Sequence, residues 1–297
     1  MHPIVPHLWF DKEARAAAEF YVSIFPSSKI TRHDVIKGTP SGDCDLLAFE
    51  LWDHPFMAIS AGPYFKINPS ISFMVNFDPA QDPEAATRID ALWNALIDGG
   101  TALMPLGEYP FSKRYGWVQD KFGVSWQLIL TNPDGEPRPT IMPALLFTNQ
   151  ACGKAEEATD RYLSIFPNAK RGALARYPAG REPDREGTVM FTDFTLNGQW
   201  FIAMDSAHGH AFSFNEGVSL MVRCDSQEEI DRYWNALSAV PAAEQCGWLK
   251  DAYGISWQVT PANMDELLKG EDAAATQRKT QAMLGMKKLD IEALRKA

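Results

Sequence analysis

Apolar positions along this chain switch between a spacing of two and a spacing of three to four, and the switches recur twice in the same order. From Ile4 to Phe10, Val5, His7 and Trp9 alternate with Pro6, Leu8 and Phe10, which predicts a strand with two unlike faces. Asp11 is placed to cap a helix whose apolar stripe is Ala17, Phe20, Tyr21 and Ile24, and Pro26 ends it. Three strand-like runs follow, Lys29 to Ile36, Leu46 to Trp52, and Phe56 to Ser60 across an Asp53-His54-Pro55 turn, making a βαβββ unit. A second unit starts at Ile71 to Phe77. Asp82-Pro83 opens its helix, Ile89, Leu92, Trp93 and Leu96 form the buried face, and Gly99-Gly100 closes it before the last strands.

The same program then replays. Ile141 to Phe147 repeats the first strand, and Ala155, Ala158, Tyr162 and Ile165 repeat the first helical stripe. Val189 to Leu196 and Trp200 to Asp205 flank Asn197-Gly198, a strong hairpin turn. Val218 to Arg223 begins the last unit, whose helix carries a Ser226 to Glu229 capping box and the stripe Ile230, Tyr233, Trp234 and Leu237. The Trp-Asn-Ala-Leu at Trp93 returns unchanged at Trp234, and Tyr21-Val-Ser-Ile-Phe-Pro returns as Tyr162-Leu-Ser-Ile-Phe-Pro. Gly116-Trp117 through Ser125-Trp126-Gln127 returns as Gly247-Trp248 through Ser256-Trp257-Gln258. In both, an Asp-x-x-Gly turn (Asp120, Asp251) joins two strands, Asp bonding the backbone and Gly taking positive φ. The copies span 1–133 and 140–262, with a turn-rich linker from Asn132 to Pro139 and a polar, helix-prone tail at 263–297. That tail reads either as a docked or dimer-forming helix or as a solvated, frayed end. The first copy has an extra strand and loop, Thr101 to Lys113, that the second lacks, so the second cavity is expected to miss part of a wall.

Composition narrows the partners. A formal charge of −10 disfavours a nucleic-acid backbone or an anionic membrane. No apolar run reaches a bilayer-spanning length, the start shows no leader pattern, and the four cysteines show no C-x-x-C spacing. A cytoplasmic location with unpaired thiols is the expectation.

Two βαβββ units per repeat, the Tyr-x-Ser-Ile-Phe-Pro helix end and the Gly-Trp-x-x-Asp-x-x-Gly-x-Ser-Trp-Gln hairpin resemble the vicinal oxygen chelate (glyoxalase/bleomycin-resistance) superfamily. Within it the chain is similar to the PhnB-like branch labelled 3-demethylubiquinone-9 3-methyltransferase, and the tail from Gln281 to Asp290 looks like the end of such proteins. The resemblance implies an α+β fold: tandem domains, each of two βαβββ units forming a curled eight-stranded sheet with helices outside and a cavity inside. It also implies a divalent ion in metal-dependent members, held from the first, fourth, fifth and last strands. Here those places read His7 and Ala144, Ala58 and Ala203, the neighbourhoods of Ser70 and Gly217, and Gln127 and Gln258. One imidazole and neutral amides are a poor set for such an ion, so neither metal nor cofactor is expected. His208-Gly209-His210 reads as an exposed loop. Trp93, Trp126, Trp234 and Trp257 read as core.

The expected function is metal-independent binding of a small molecule in a first-domain cavity lined by His7, Trp9, Phe49, Ser72, Trp117, Ser125 and Gln127. The second domain would be a structural partner and the chain a homodimer. The alternatives are an enzyme (metal-dependent lyase, isomerase or dioxygenase, or the methyltransferase of the family label) and a structural or dimerisation module. No Gly-rich strand-to-helix turn of a Rossmann-type S-adenosylmethionine site is present in the sequence.

Overall fold

The computed structural model describes residues 2–39 and 41–297. The first half runs β1 (Val5–Phe10), α1 (Ala14–Ile24), β2 (Lys29–Thr39), β3 (Gly42–Leu51), β4 (His54–Ser60), β5 (Ile71–Phe77), α2 (Ala85–Ile97), β6 (Thr101–Tyr109), β7 (Ser112–Gln119) and β8 (Ser125–Leu130). The second runs β9 (Ile141–Thr148), α3 (Ala155–Ile165), β10 (Lys170–Arg176), β11 (Val189–Leu196), β12 (Gln199–Ser206), β13 (Val218–Cys224), α4 (Gln227–Leu237), β14 (Trp248–Lys250) and β15 (Ser256–Pro261). The tail forms α5 (Met264–Leu268), α6 (Ala273–Leu284) and α7 (Ile291–Lys296). Asn197 and Gly198 both take positive φ, as a primed hairpin turn requires. Ser226 accepts from the Glu229 amide, and Glu229 reaches back to the Asp225 amide, one residue before the expected box partner. Asp11 does not cap α1, whose first flanking residue is Glu13, and α2 begins after Glu84. Asp82 instead turns the chain just ahead of α2 by accepting from the Glu84 amide.

Two mixed sheets carry the fold. One is seven-stranded, in the order β14-β15-β13-β1-β4-β3-β2; the other is eight-stranded, β10-β11-β12-β9-β5-β8-β7-β6. Each joins one βαβββ unit from each half, through the antiparallel pairs β1 with β13 and β5 with β9. The sheets are thus shared between halves, whereas the packing on the helix side stays within each half. Tyr21 of α1 and Phe25 just after it pack on Trp126, with Phe49, Phe56 and Phe73 completing the cluster. Tyr162 of α3 and Phe166 just after it pack likewise on Trp257.

The Asp of each repeated hairpin holds more than its turn. Asp120 Oδ1 accepts from the Phe122 and Val124 amides, while Oδ2 accepts from Tyr21 Oη (2.8 Å) and Trp126 Nε1 (2.9 Å). Asp251 repeats this with Tyr253, Ile255, Tyr162 (2.6 Å) and Trp257 (2.9 Å). One carboxylate therefore ties helix, turn and last strand together in each half.

The missing strand of the second copy is replaced by the tail. Gly116 lies against Trp93 and Leu106 of β6; the matching Gly247 lies against Leu289, which is fully buried. The Cys246 and Gly247 amides donate to Met286 O and Lys287 O (2.8 Å each). The expected gap in the wall is closed, and the tail is docked, with Leu267, Met283, Ile291 and Leu294 also buried. Gln281 Nε2 reaches Gly38 O on β2 (3.3 Å), only five residues before Met286 meets the strand end at Cys246. In a flat sheet, six strand spacings of about 4.8 Å would separate those edges by about 29 Å; residues 281–284 are helical, so the chain from 281 to 286 spans roughly 11 Å, and the Gln281 side chain with the two hydrogen bonds extends that reach only to about 23 Å. The seven-stranded sheet is therefore curled, and the tail straps its edges together.

Candidate functional site

The face of each curled sheet opposite the helices is the candidate site. On the eight-stranded sheet, Ser72 of β5 lies beside Ala144 of β9, which lies beside Ile202 of β12. At its centre Gln127 is 3% exposed; its Nε2 donates to Ser72 Oγ (2.7 Å), and Tyr115 Oη donates to its Oε1 (2.7 Å). Burial raises the Tyr115 pKa, so it remains a donor. Around this polar chain lie Met74, Met142, Ala144 and Ile202, with half-buried Ile129, Phe191, Trp200 and Met204. Trp200 also borders a hollow of about 690 Å³ lined by Arg138, Lys170, Arg171, Asp193 and Glu136. There Arg138 stacks on the Trp200 ring (4.0 Å) and its Nε donates to buried Asp193 (2.8 Å).

On the seven-stranded sheet, His7 of β1 lies between Ser219 of β13 and Met57 of β4, and Ser219 lies beside Ser256 of β15. Gln258 Nε2 donates to Ser219 Oγ (2.8 Å). His7 is 2% exposed, and burial pushes its pKa down to about 3, so the ring is neutral at physiological pH. Trp248 meets it edge-on at 5.7 Å and meets Trp9 at 6.4 Å. The Trp9 Nε1 donates to Gly62 O (2.8 Å).

The residues expected to share one cavity are divided between these faces. His7 and Trp9 lie on the seven-stranded sheet, and Ser72, Trp117, Ser125 and Gln127 on the eight-stranded one, where Trp117 Nε1 donates to Ser125 Oγ (2.7 Å). Phe49 lines neither: it stacks between Tyr21 and Phe56 in the helix-side core. Alternation on β7 puts Tyr115 on the Trp117 face, a signal the sequence carries for its place beside Gln127. Met74, Trp200 and Arg138 gave no chemical signal by spacing.

The places expected from the resemblance to hold a metal are also shifted, by one residue on β4 and β12 and by two on β5 and β13. Ala58 and Ala203 point into the helix-side core, and their neighbours Met57 and Ile202 face the concavity. On the fifth-strand positions the facing residues are Ser72 and Ser219. The donor sets are then imidazole, thioether, hydroxyl and amide on one face, and two hydrocarbon side chains, hydroxyl and amide on the other. Neither offers a carboxylate, so neither fits a hard or borderline divalent ion. Among the described residues no group of three His, Cys, Asp or Glu side chains is placed to share an ion. His208 is exposed and lies 3.4 Å from Asp184, while His210 meets Ser206 (2.8 Å).

A family model described as 3-demethylubiquinone-9 3-methyltransferase matches residues 2–129 and again 139–260. The chain belongs to that family. This 3-demethylubiquinone-9 3-methyltransferase family chain therefore carries the family unit twice, and single-unit members are similar to one half of it. The PhnB protein from Bacillus cereus is 34% identical over 44% of this chain and 100% of its own, with a TM-score of 0.39. A protein from Staphylococcus aureus is 31% identical over 44% of this chain and 98% of its own, with a TM-score of 0.18. Glyoxalase I from Zea mays matches 89% of this chain and 94% of its own at 12% identity, with a TM-score of 0.54, a likeness of fold. The glyoxalase-like vicinal oxygen chelate fold is thus present in its tandem form. A comparison with curated proteins gives no match. Among the described residues no helix is long and apolar enough to cross a membrane.

Proposed function

We propose that this protein binds a small, largely apolar molecule bearing an anionic group, without a metal, on the concave face of the eight-stranded sheet. The observation that carries the reading is the composition of that face. A trough of Met74, Met142, Ile202 and half-buried Phe191, Trp200 and Met204 surrounds one neutral polar centre, Gln127 with Ser72 and Tyr115. Apolar walls with a few convergent polar groups suit a small ligand. Lys170, beside Trp200 in the adjoining hollow, supplies positive charge for the anionic group, the Arg138 charge being matched by Asp193 and Glu136. The test is titration with the fluorescent aromatic sulfonate 1-anilinonaphthalene-8-sulfonate. Saturable enhancement is expected, lost in Met74→Trp, which fills the trough, and weakened in Lys170→Ala. Equal binding by Met74→Trp and the unaltered chain overturns the reading.

The family description favours a second reading, methyl transfer to an aromatic hydroxyl. Calorimetry with S-adenosylmethionine tests it, and no saturable heat removes it. We also infer a homodimer, for which light scattering would give about twice 33.1 kDa, and a cytoplasmic location, which suits four unpaired cysteines.

A further inference from the structure

Taken from partner to partner, Ser256, Ser219, His7, Met57, Ala48 and Arg32 form one row across the seven-stranded sheet, all on its concave face. Burial falls off along the row. Ser256, Ser219 and His7 are at most 2% exposed, and Trp248 covers His7 from the β14 side. Met57 and Ala48 are only half-buried, so the passage from solvent to His7 enters from the β2 edge, beside Arg32. That is where the tail is fastened. Arg32 pairs with Asp265 of α5, and Gln281 of α6 donates to Gly38 O (3.3 Å), both partners lying on β2.

The tail has two parts, held in different ways. From Met286 onward it is built into the fold: the Cys246 and Gly247 amides bond its backbone, Gln227 Nε2 donates to Leu289 O (3.1 Å) and Gln227 Oε1 accepts from the Ile291 amide (2.9 Å), and Leu289, Ile291 and Leu294 are buried. Ahead of it, α5 and α6 bury one apolar side chain each, Leu267 and Met283. Among the described residues their extensive contacts are with each other and with α7, none with a strand. Lys279 Nζ donates to Leu267 O and Lys269 O (3.1 and 3.3 Å), which ties the two helices into one unit. Their hold on β2 is one exposed ion pair and one side-chain hydrogen bond, and exposed pairs contribute little and are screened by salt. Asp34 also pairs with Arg32, so release of Asp265 strands no cation. Segments with few buried apolar contacts open well below the free energy of global unfolding. We propose that α5 and α6 form a flap that leaves the β2 edge as a unit, while 286–297 stays docked, and so gates the passage to His7.

Diethyl pyrocarbonate acylates neutral imidazoles, and the His7 ring is neutral because burial lowers its pKa. The full chain is labelled, and peptide mass spectrometry reads His7 against exposed His208. Asp265→Asn should speed His7 labelling about 1.5- to 5-fold, the factor to which an exposed ion pair converts, and leave His208 unchanged. In the unaltered chain about 0.5 M sodium chloride, which cuts the screening length to roughly 4 Å, should do the same, and in Asp265→Asn it should add nothing. Amide hydrogen exchange in α5 and α6 should quicken by the same factor while that in α7 holds. His7 labelling that Asp265→Asn leaves unchanged overturns the proposal, because the flap then does not gate it. Equal quickening of α7 exchange overturns it too, since the tail is then released as one piece. So does a His7 that is never labelled, which would mean that the passage does not exist.

Discussion

Removing the Tyr21 hydroxyl probes the bond that joins helix α1 to the repeated hairpin. Tyr21→Phe leaves the ring stacked against Trp126 and Phe49 and deletes one donor to buried Asp120. Asp120 keeps the Phe122 and Val124 amides and Trp126 Nε1. A hydrogen bond to a charged group contributes about 1.5–3 kcal/mol net, so a loss of about 2 kcal/mol is expected. For a chain of 297 residues that lowers the melting temperature by roughly 3 °C. Tyr162→Phe should cost the same at Asp251, and because the two sites lie in different halves the double variant should be additive to within about 0.5 kcal/mol. Urea unfolding of the three variants measures this. In the folded state burial raises the pKa of both Asp120 and Asp251. Protonation therefore favours the fold: the stability it contributes is fully present below the ordinary aspartate value and is lost as pH rises through the raised value. The Tyr21 bond responds in the opposite sense, since it is strongest to the ionised carboxylate, so the cost of Tyr21→Phe should shrink as pH falls through the raised value. A cost below about 0.5 kcal/mol at neutral pH, or one that grows on acidification, refutes the reasoning.

Arg138→Ala leaves the buried Asp193 carboxylate without its cation and frees the linker from Trp200. About 3–5 kcal/mol is the expected loss, read from the urea midpoint, with faster protease cleavage between residues 132 and 139. Leu289→Ala opens a cavity against Gly247 where the tail replaces a strand, costing about 2–5 kcal/mol by thermal unfolding. Residues 1–133 expressed alone would leave β1 and β5 without β13 and β9. Such a fragment should self-associate through those edges, and a monodisperse monomer in light scattering would count against the shared sheets.

The sequence shows the order of elements because alternation and helical stripes are local properties. Its repeat shows the Asp120 and Asp251 turns for the same reason. What alternation does not encode is the partner strand: β1 reads the same whether it pairs within its half or, as here, with β13. The division of His7 and Trp9 from Ser72, Trp117, Ser125 and Gln127 follows from that one exchange. Phase was the second limit. A slip of one residue moves a side chain to the opposite face, which is why Ala58 and Ala203 belong to the core while Met57 and Ile202 face the concavity. Phe49 belongs to the core for the same reason, as its β3 neighbour Ala48 pairs with Met57 and Phe49 pairs with core Phe56.

Duplication explains why the two faces could diverge. Each face takes its first and fourth strands from one copy and its fifth and last from the other, so substitution in one copy alters both faces, but at different positions. The face built around β1 kept the imidazole of His7, while that built around β9 has Ala144 in its place. The copy that lost the equivalent of β6 supplies β14 to the His7 face, and there the tail took over the wall: Leu289 fills the place of Leu106 and the backbone of Met286 and Lys287 replaces strand pairing. Its apolar residues Leu267, Met283, Leu289, Ile291 and Leu294 are spaced too irregularly for one helical stripe because they serve separate contacts. The loss of an edge strand and the gain of a strap therefore fall on the same sheet, the one on which Ser256 Oγ and Arg223 Nε have no partner among the described residues.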